Sequence, residues 1–445
     1  MSDFRGIPAV HRLMDHPSIA PYESLVGRDA LRAVIASELD RARGAGGDVP
    51  LELLASRIVE RMESELSREL LHVVNATGTL LHTNLGRAPL ARRAFADAWA
   101  VSGGYSNLEY DLLAGERASR YERVTALLRE LTGAQEALVV NNCAAAVLLL
   151  VDTFAKGAET IVARSELIEI GGGFRLPDVL ARSGTTLVEV GATNKTYLAD
   201  YEKALSPHTA LLMRSHRSNF SIEGFTHEVA AEDLVALGRR AGVPVVEDLG
   251  SGALVDFSDY GLPHERTVQD AVRDGVGLVA FSGDKLLGGA QAGIIVGSAP
   301  MIARLRSNPL LRALRVDKVT LGLLAGTLRL YRSKETREEI PIYRMLATTC
   351  DALRERARAY LQTIPSAAAV DSEAFIGGGS LPHVRIPSVA VALQTPYPDQ
   401  LALRLRRNTV PIVARIESER VLLDLRTIEP EADASVVRAL ISLLS

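Results

Sequence analysis

The 445-residue chain carries only six lysines among its 50 basic residues, and one of them, Lys285, sits in notable company. It lies in Phe281-Ser-Gly-Asp-Lys-Leu-Leu-Gly-Gly289, after an apolar run and just before two glycines. A lysine at a strand end, beside backbone that other groups can approach closely, reaches a ligand lying over the sheet edge. An isolated turn lysine is ordinarily just solvated, but Ser282 offers a hydroxyl to an anion and Asp284 sets an acid beside the amine. Earlier, Glu247-Asp248-Leu-Gly-Ser-Gly252 closes another apolar run. A carboxylate there caps a turn as readily as it pairs with a protonated ring nitrogen. Asn141-Asn-Cys-Ala-Ala-Ala146 joins a third run to a helical stretch, and free amides at a helix start bind anions. An amine, a carboxylate and an anion cradle at three strand ends are what pyridoxal phosphate requires. Lys285 would carry it, Asp248 would face its ring nitrogen, and Asn142, Cys143 and Ala144 with Ser282 would take its phosphate. His216, after Leu211-Leu-Met-Arg-Ser, ends a further run and is a candidate cofactor contact, although a lone histidine beside a strand is as often structural.

These residues need a frame that lines up strand ends along one edge. From about residue 137, short apolar runs at 137–142, 160–163, 186–190, 210–213, 243–247 and 277–281 alternate with helical stretches such as 228–241. Unalternated apolar strands separated by helices predict a mostly parallel sheet covered on both faces. The run at 292–296 follows too closely for a helical crossover and is expected to be antiparallel. Ahead of this region, 28–43 and 51–71 show helical spacing around a turn at 44–50. Leu51, Leu54, Ile58 and Met62 form a stripe that must be buried, against this chain or another subunit. Past about 320 come a long helix at 342–361, the run Gly377-Gly-Gly-Ser380, strands at 383–392, 411–415 and 420–425, and helices at 399–407 and from about 431. The expected fold is α/β: an N-terminal helical domain (1–70), a mostly parallel-sheet large domain (71–320) and a small C-terminal α+β domain (321–445).

A net charge of −4 gives no global nucleic-acid signal, though it leaves room for a local patch. Two cysteines, Cys143 and Cys350, are too few for a disulfide framework or a Cys-rich metal site, so no metal is expected and the cytoplasm is the default compartment. No apolar run approaches membrane-spanning length. No Gly-x-Gly-x-x-Gly opens a βαβ unit, which excludes a nicotinamide dehydrogenase of that type.

The order anion turn, Asp, Lys matches the layout of fold-type I pyridoxal-phosphate enzymes. Longer strings narrow this. Asn75-Ala-Thr-Gly-Thr-Leu-Leu-His-Thr-Asn-Leu-Gly-Arg-Ala-Pro89, Tyr105-Ser-Asn-Leu-Glu-Tyr-Asp111, Glu169-Ile-Gly-Gly-Gly-Phe-Arg-Leu-Pro-Asp178, Asp248-Leu-Gly-Ser-Gly252 and Ser282-Gly-Asp-Lys-Leu-Leu-Gly-Gly289 resemble the bacterial selenocysteine synthase (L-seryl-tRNA(Sec) selenium transferase) family. The likeness runs from Ile7-Pro-Ala-Val-His-Arg-Leu13 to Leu422-Leu-Asp-Leu-Arg-Thr427. It implies conversion of seryl-tRNA to selenocysteinyl-tRNA through a dehydroalanyl stage, with selenophosphate as donor. It further implies a homo-oligomeric ring of dimers (a decamer), an active site at a dimer interface, and an N-terminal domain that grips the tRNA. It makes Lys285 the Schiff-base lysine and Asp248 the pyridinium partner. Arg87, Arg312 and Arg315 become selenophosphate ligands, and His82 and Asp284 proton-handling groups.

Residues 301–346 hold ten basic and four acidic side chains, and Arg312 and Arg315 at i, i+3 are expected on one helix face. Paired guanidinium groups suit a tetrahedral oxyanion, whereas an ordinary charge run is a solvated face. Residues 1–70 carry nine Arg and twelve acids, so a tRNA grip there would use a local patch, shape or hydrogen bonds. The family pattern usually has Asn at Cys143 and Pro at Ala290, and Thr and Tyr at Arg217 and Phe220. Two alternatives remain at this stage: a pyridoxal-phosphate lyase acting on a small amino acid or amino sugar acid, and a tRNA-binding protein without catalysis. The N-terminal helical region counts against the first, and the intact Lys285 and Asp248 against the second.

Overall fold

Seven of the apolar runs pair into one sheet, numbered here in chain order: β1 (Glu136–Val140), β2 (Glu159–Ala163), β3 (Thr186–Val190), β4 (Thr209–Ser215), β5 (Val245–Gly250), β6 (Leu278–Ser282) and β7 (Gly293–Gly297). The structure is a computed structural model that describes residues 8–44, 49–66 and 70–444. Positions 1–7, the turn residues 45–48 and residues 67–69, within the second expected helix, lie outside the described residues. The spatial order is β1-β7-β6-β5-β4-β2-β3. All neighbours are parallel except β7, which runs antiparallel to both β6 and β1, as its short connection requires. Every residue of β6 and β7 is buried, which is why neither alternates polar with apolar side chains.

Register brings the chemistry together. Ser215 at the end of β4 stands opposite Asp248, and Asp248 stands opposite Ala280. A register shift between Asp248 and Gly250 breaks the ladder beside the carboxylate. The helix Cys143–Ala155 follows β1 and buries Val147, Leu149, Leu150 and Val151 against the sheet.

Two expectations are corrected. The helix expected over 342–361 is two helices, Pro341–Ala347 and Cys350–Thr363. Thr348 takes an extended conformation (φ −69°, ψ 123°), so the helix stops at a pair of β-branched residues with poor helix propensity. Arg312 and Arg315 do not share a helix face. The helix Leu310–Ala313 ends at Leu314, whose carbonyl accepts the Asn141 amide (3.2 Å), and Arg315 pairs instead with Val140 at the end of β1.

The chain divides into two compact units: Met1–Gly78 with Asp351–Ser372 and Ser388–Ser445, and Thr79–Cys350 with Glu373–Pro387. The boundary expected at 320/321 cuts the helix Lys318–Arg332, and the helices of the N-terminal region share a unit with most of the C-terminal α+β segment. In the first unit, helix Leu51–Leu66 turns Leu54, Ile58 and Met62 onto Leu31, Ile35 and Leu39 of helix Arg28–Gly44, so that stripe is buried by its own chain. There Val74–Ala76 lies parallel to Ile412–Glu417, which pairs antiparallel with Arg420–Asp424. A strand the sequence did not suggest, Ala367–Gly377, ends in the second unit against Thr79–Leu81. No helix among the described residues is long and apolar enough to cross a membrane.

Candidate active site

Lys285 stands three residues past β6, in a cavity of about 260 Å³ at the carboxyl ends of the strands. Its walls include Asn142, Cys143, Ala144, His216, Asp248, Ser282, Asp284 and Arg87, so with Lys285 itself nine of the twelve candidate residues meet in one place. A Cβ built on Gly250 would stand 3.7 Å from Asp248 Oδ1 and 3.8 Å from Lys285 Nζ, which puts carboxylate and amine around one backbone point. Lys285 has no hydrogen-bond or ion-pair partner among the described residues, so its amine is uncommitted.

The anion cradle forms at the start of helix Cys143–Ala155. Asn142 caps it, its side chain accepting the Ala145 amide at 2.9 Å, while the Ala146 amide bonds the Asn142 carbonyl at 3.1 Å. The Cys143 and Ala144 amides then point out with no protein acceptor among the described residues, beside the buried Ser282. Cys143 stands where the family pattern has Asn. Its thiol donates to Asp248 Oδ1 at 3.5 Å, and burial pushes its pKa well up, so it stays protonated. Desolvation raises the Asp248 carboxyl, and the Lys285 ammonium, the Cys143 thiol and His216 pull it back.

His216 follows β4, and its amide donates to the Asp248 carbonyl at 2.9 Å. Its Nε2 lies 3.7 Å from the buried carboxylate of Glu265, while Nδ1 is buried without a partner. Glu265 in turn accepts the Ser380 hydroxyl at 2.7 Å. The orphaned ring nitrogen, the two open amides and the uncommitted amine fit a ring cofactor with an anionic arm. Asn142, Cys143, Ala144 and Ser282 would hold that arm, Asp248 the ring nitrogen and Lys285 the carbonyl carbon.

Arg87 Nη1 donates to Asp284 Oδ2 at 2.6 Å, and the pair lies between this cavity and an adjoining one of about 350 Å³. Asp284 is therefore the counter-ion of Arg87. Three other candidates lie apart. His82 does not line the Lys285 cavity, and its Nδ1 is buried without a partner. Arg312 and Arg315 are exposed and outside the lining, with Arg315 Nη1 3.9 Å from Glu109 Oε1. Arg217 ion-pairs with Glu228 in a neighbouring cavity, and Ala290 packs with Ala98 and Leu323, so neither departure reaches Lys285.

Sequence reasoning did not single out Gly379. A Cβ there would fall 2.7–2.8 Å from the Cδ, Cε and Nζ atoms of Lys285, and its φ of +108° already favours glycine. The glycine run 377–379 is evident in the sequence, but nothing local ties it to a lysine far back in the chain. Ile168, Ile170, Gly171 and Leu176, from around the Glu169–Asp178 string, form another wall.

The family profile described as L-seryl-tRNA selenium transferase matches residues 73–429, and that described as Selenocysteine synthase N terminal matches residues 4–43. The chain is 46% identical over 461 residues to the L-seryl-tRNA(Sec) selenium transferase of Moorella thermoacetica, covering 99% of this chain and 97% of the relative. It is 45% identical over 462 residues to that of Geobacter sulfurreducens, covering 100% of both. Among solved structures it is similar to D-glucosaminate-6-phosphate ammonia-lyase, with a TM-score of 0.62, 19% identity, and coverage of 86% of this chain and 97% of the other. At that identity the likeness concerns the fold, which is the fold-type I arrangement of pyridoxal-phosphate enzymes.

Proposed function

The chain belongs to the L-seryl-tRNA selenium transferase family, and from that premise we propose that it converts L-seryl-tRNA(Sec) into L-selenocysteinyl-tRNA(Sec), using pyridoxal phosphate at Lys285 and selenophosphate as donor. The observation that carries the reading is the extent of the likeness: relatives of that name match over essentially the whole chain, N-terminal region included. Pyridoxal phosphate supplies, when bound, an electron sink for negative charge at an amino acid's α-carbon.

The residues divide the remaining work. The Cys143 and Ala144 amides and Ser282 bind the cofactor's phosphate, and Asp248 holds a proton at its ring nitrogen. Lys285 Nζ takes the proton from the seryl α-carbon, its stem occupying space that only a glycine at 379 leaves open. Arg87, aimed by Asp284, binds the anionic donor from the adjoining cavity. The C–O bond at the serine β-carbon breaks and a C–Se bond forms. The P–Se bond of the donor also breaks, and phosphate carries away the oxygen. Arg312 and Arg315, exposed and outside their own chain's cavity, fit a contribution to a partner subunit's site.

An oligomer built from dimers is part of the proposal, supported by large apolar side chains left exposed at Phe95, Trp99, Tyr105, Leu112 and Leu113. So are a tRNA grip by the N-terminal helices and a cytoplasmic site of action. The test supplies selenophosphate with seryl-tRNA(Sec) or with ordinary seryl-tRNA and measures selenocysteine after deacylation. Conversion of the first alone is expected; equal or absent conversion of both contradicts the function.

A further inference from the structure

His216 has a second side. Beyond it opens a separate cavity of about 460 Å³, which the chemistry described so far leaves unused. Its charges are largely spoken for. Arg266 donates to both oxygens of Glu247 (2.7 and 3.0 Å), Arg217 pairs with Glu228, and Glu265 accepts from Ser380. Glu166 accepts the Ser215 amide at 3.1 Å, and burial raises its pKa to about 7, so it is about half neutral at that pH. Arg214 is different: it has no hydrogen-bond or ion-pair partner among the described residues, although its charge is felt by Glu166 and Tyr201. Phe220 adds a half-buried aromatic ring to the wall.

We propose that this cavity receives the terminal nucleoside of the tRNA, with the seryl ester passing His216 to reach Lys285. The inference rests on the function proposed above and assigns a place to the part of the substrate that does not react. Only an ester link separates the serine carbons from the terminal ribose, so the ribose must lie directly beside the Lys285 cavity. Two neighbouring cavities qualify. The one behind Arg87 has no aromatic side chain on its walls. The one behind His216 has Phe220, and bases of a single strand are held chiefly by stacking on aromatic faces. Its mutually neutralised charges suit a nucleoside, and the free Arg214 guanidinium suits the one phosphate that links it to the rest of the strand.

The probe is the 3′-seryl ester of adenosine 5′-monophosphate, titrated against serine methyl ester on the holoenzyme. The readout is the visible absorbance of the bound cofactor. The nucleotide ester is expected to perturb the spectrum at roughly tenfold lower concentration, as one stacked base contributes. Phe220→Ala and Arg214→Gln should each shrink that difference, and unchanged cofactor absorbance before titration shows that the variants fold. Identical titrations of the two esters in the wild type, or an undiminished difference in both variants, would overturn the proposal. An enzyme that converts seryl-tRNA(Sec) yet shows no preference for the nucleotide ester loses the cavity assignment alone. One that prefers the nucleotide ester but converts no seryl-tRNA loses the function and keeps the nucleoside cavity.

Discussion

Arg87 and Asp284 are bound to one another, and this changes what each can do. With its carboxylate committed to a guanidinium at 2.6 Å, Asp284 is suited to aiming Arg87 rather than to passing protons. Arg87→Ala should raise the KM for selenophosphate by roughly 100-fold and leave cofactor absorbance intact. Asp284→Asn should act in the same direction, less strongly, and keep the pH profile of kcat. Loss of one limb of that profile would restore Asp284 to a proton-transfer role. Gly379→Ala puts a methyl group into the Lys285 stem at a φ that already disfavours it, and displacement of a reacting group on that scale costs roughly 100-fold in kcat. Steady-state kinetics with unchanged cofactor content would check it. Lys285, Asp248 and Asn142 were legible because each ends or follows an apolar run. Gly379, Glu265 and Ser380 were not, because their roles arise from contacts between distant segments that no local pattern records.

The strand ends position this chemistry and also bury an acid. Glu166, just beyond β2, accepts an amide from the last residue of β4 inside a desolvated pocket. Its pKa rises from the ordinary 4.5 to about 7, so the folded chain holds this proton where the unfolded chain has lost it. The contribution of Glu166 to stability therefore falls as pH rises from about 4.5 to 7 and levels off above, by about 3.5 kcal/mol at roughly 1.4 kcal/mol per pKa unit. Glu166→Gln should remove that slope: melting temperature of the variant relative to wild type should climb across the window, and parallel curves would contradict the assignment. The sheet itself was readable, including antiparallel β7, because doubly buried strands leave unbroken apolar runs. Ala367–Gly377 was missed because Ala-rich, polar sequence has little β-propensity, and its pairing comes from the tertiary setting. The helix face expected for Arg312 and Arg315 failed for a similar reason, since pairing with the end of β1 pulls Arg315 out of the helix.

At the scale of the whole molecule, the exposed apolar side chains between Phe95 and Leu113 are the surface that the proposed oligomer would bury. Leu113→Asp with Trp99→Asp should shift the enzyme to smaller species in light scattering and lower turnover with them; an unchanged mass would place the interface elsewhere. The acidic balance of residues 1–70 gave no electrostatic hint of tRNA, and that part of the account rests on family membership. The cofactor anchor rests on the chain's own geometry, and it is open to one direct measurement. Borohydride reduction of the purified holoenzyme, followed by peptide mapping, fixes the cofactor to whichever lysine holds it. With only six lysines the result is unambiguous. The phosphopyridoxyl group is predicted on Lys285 alone, and its appearance on Lys156, Lys195, Lys203, Lys318 or Lys334, or on none, would contradict the account.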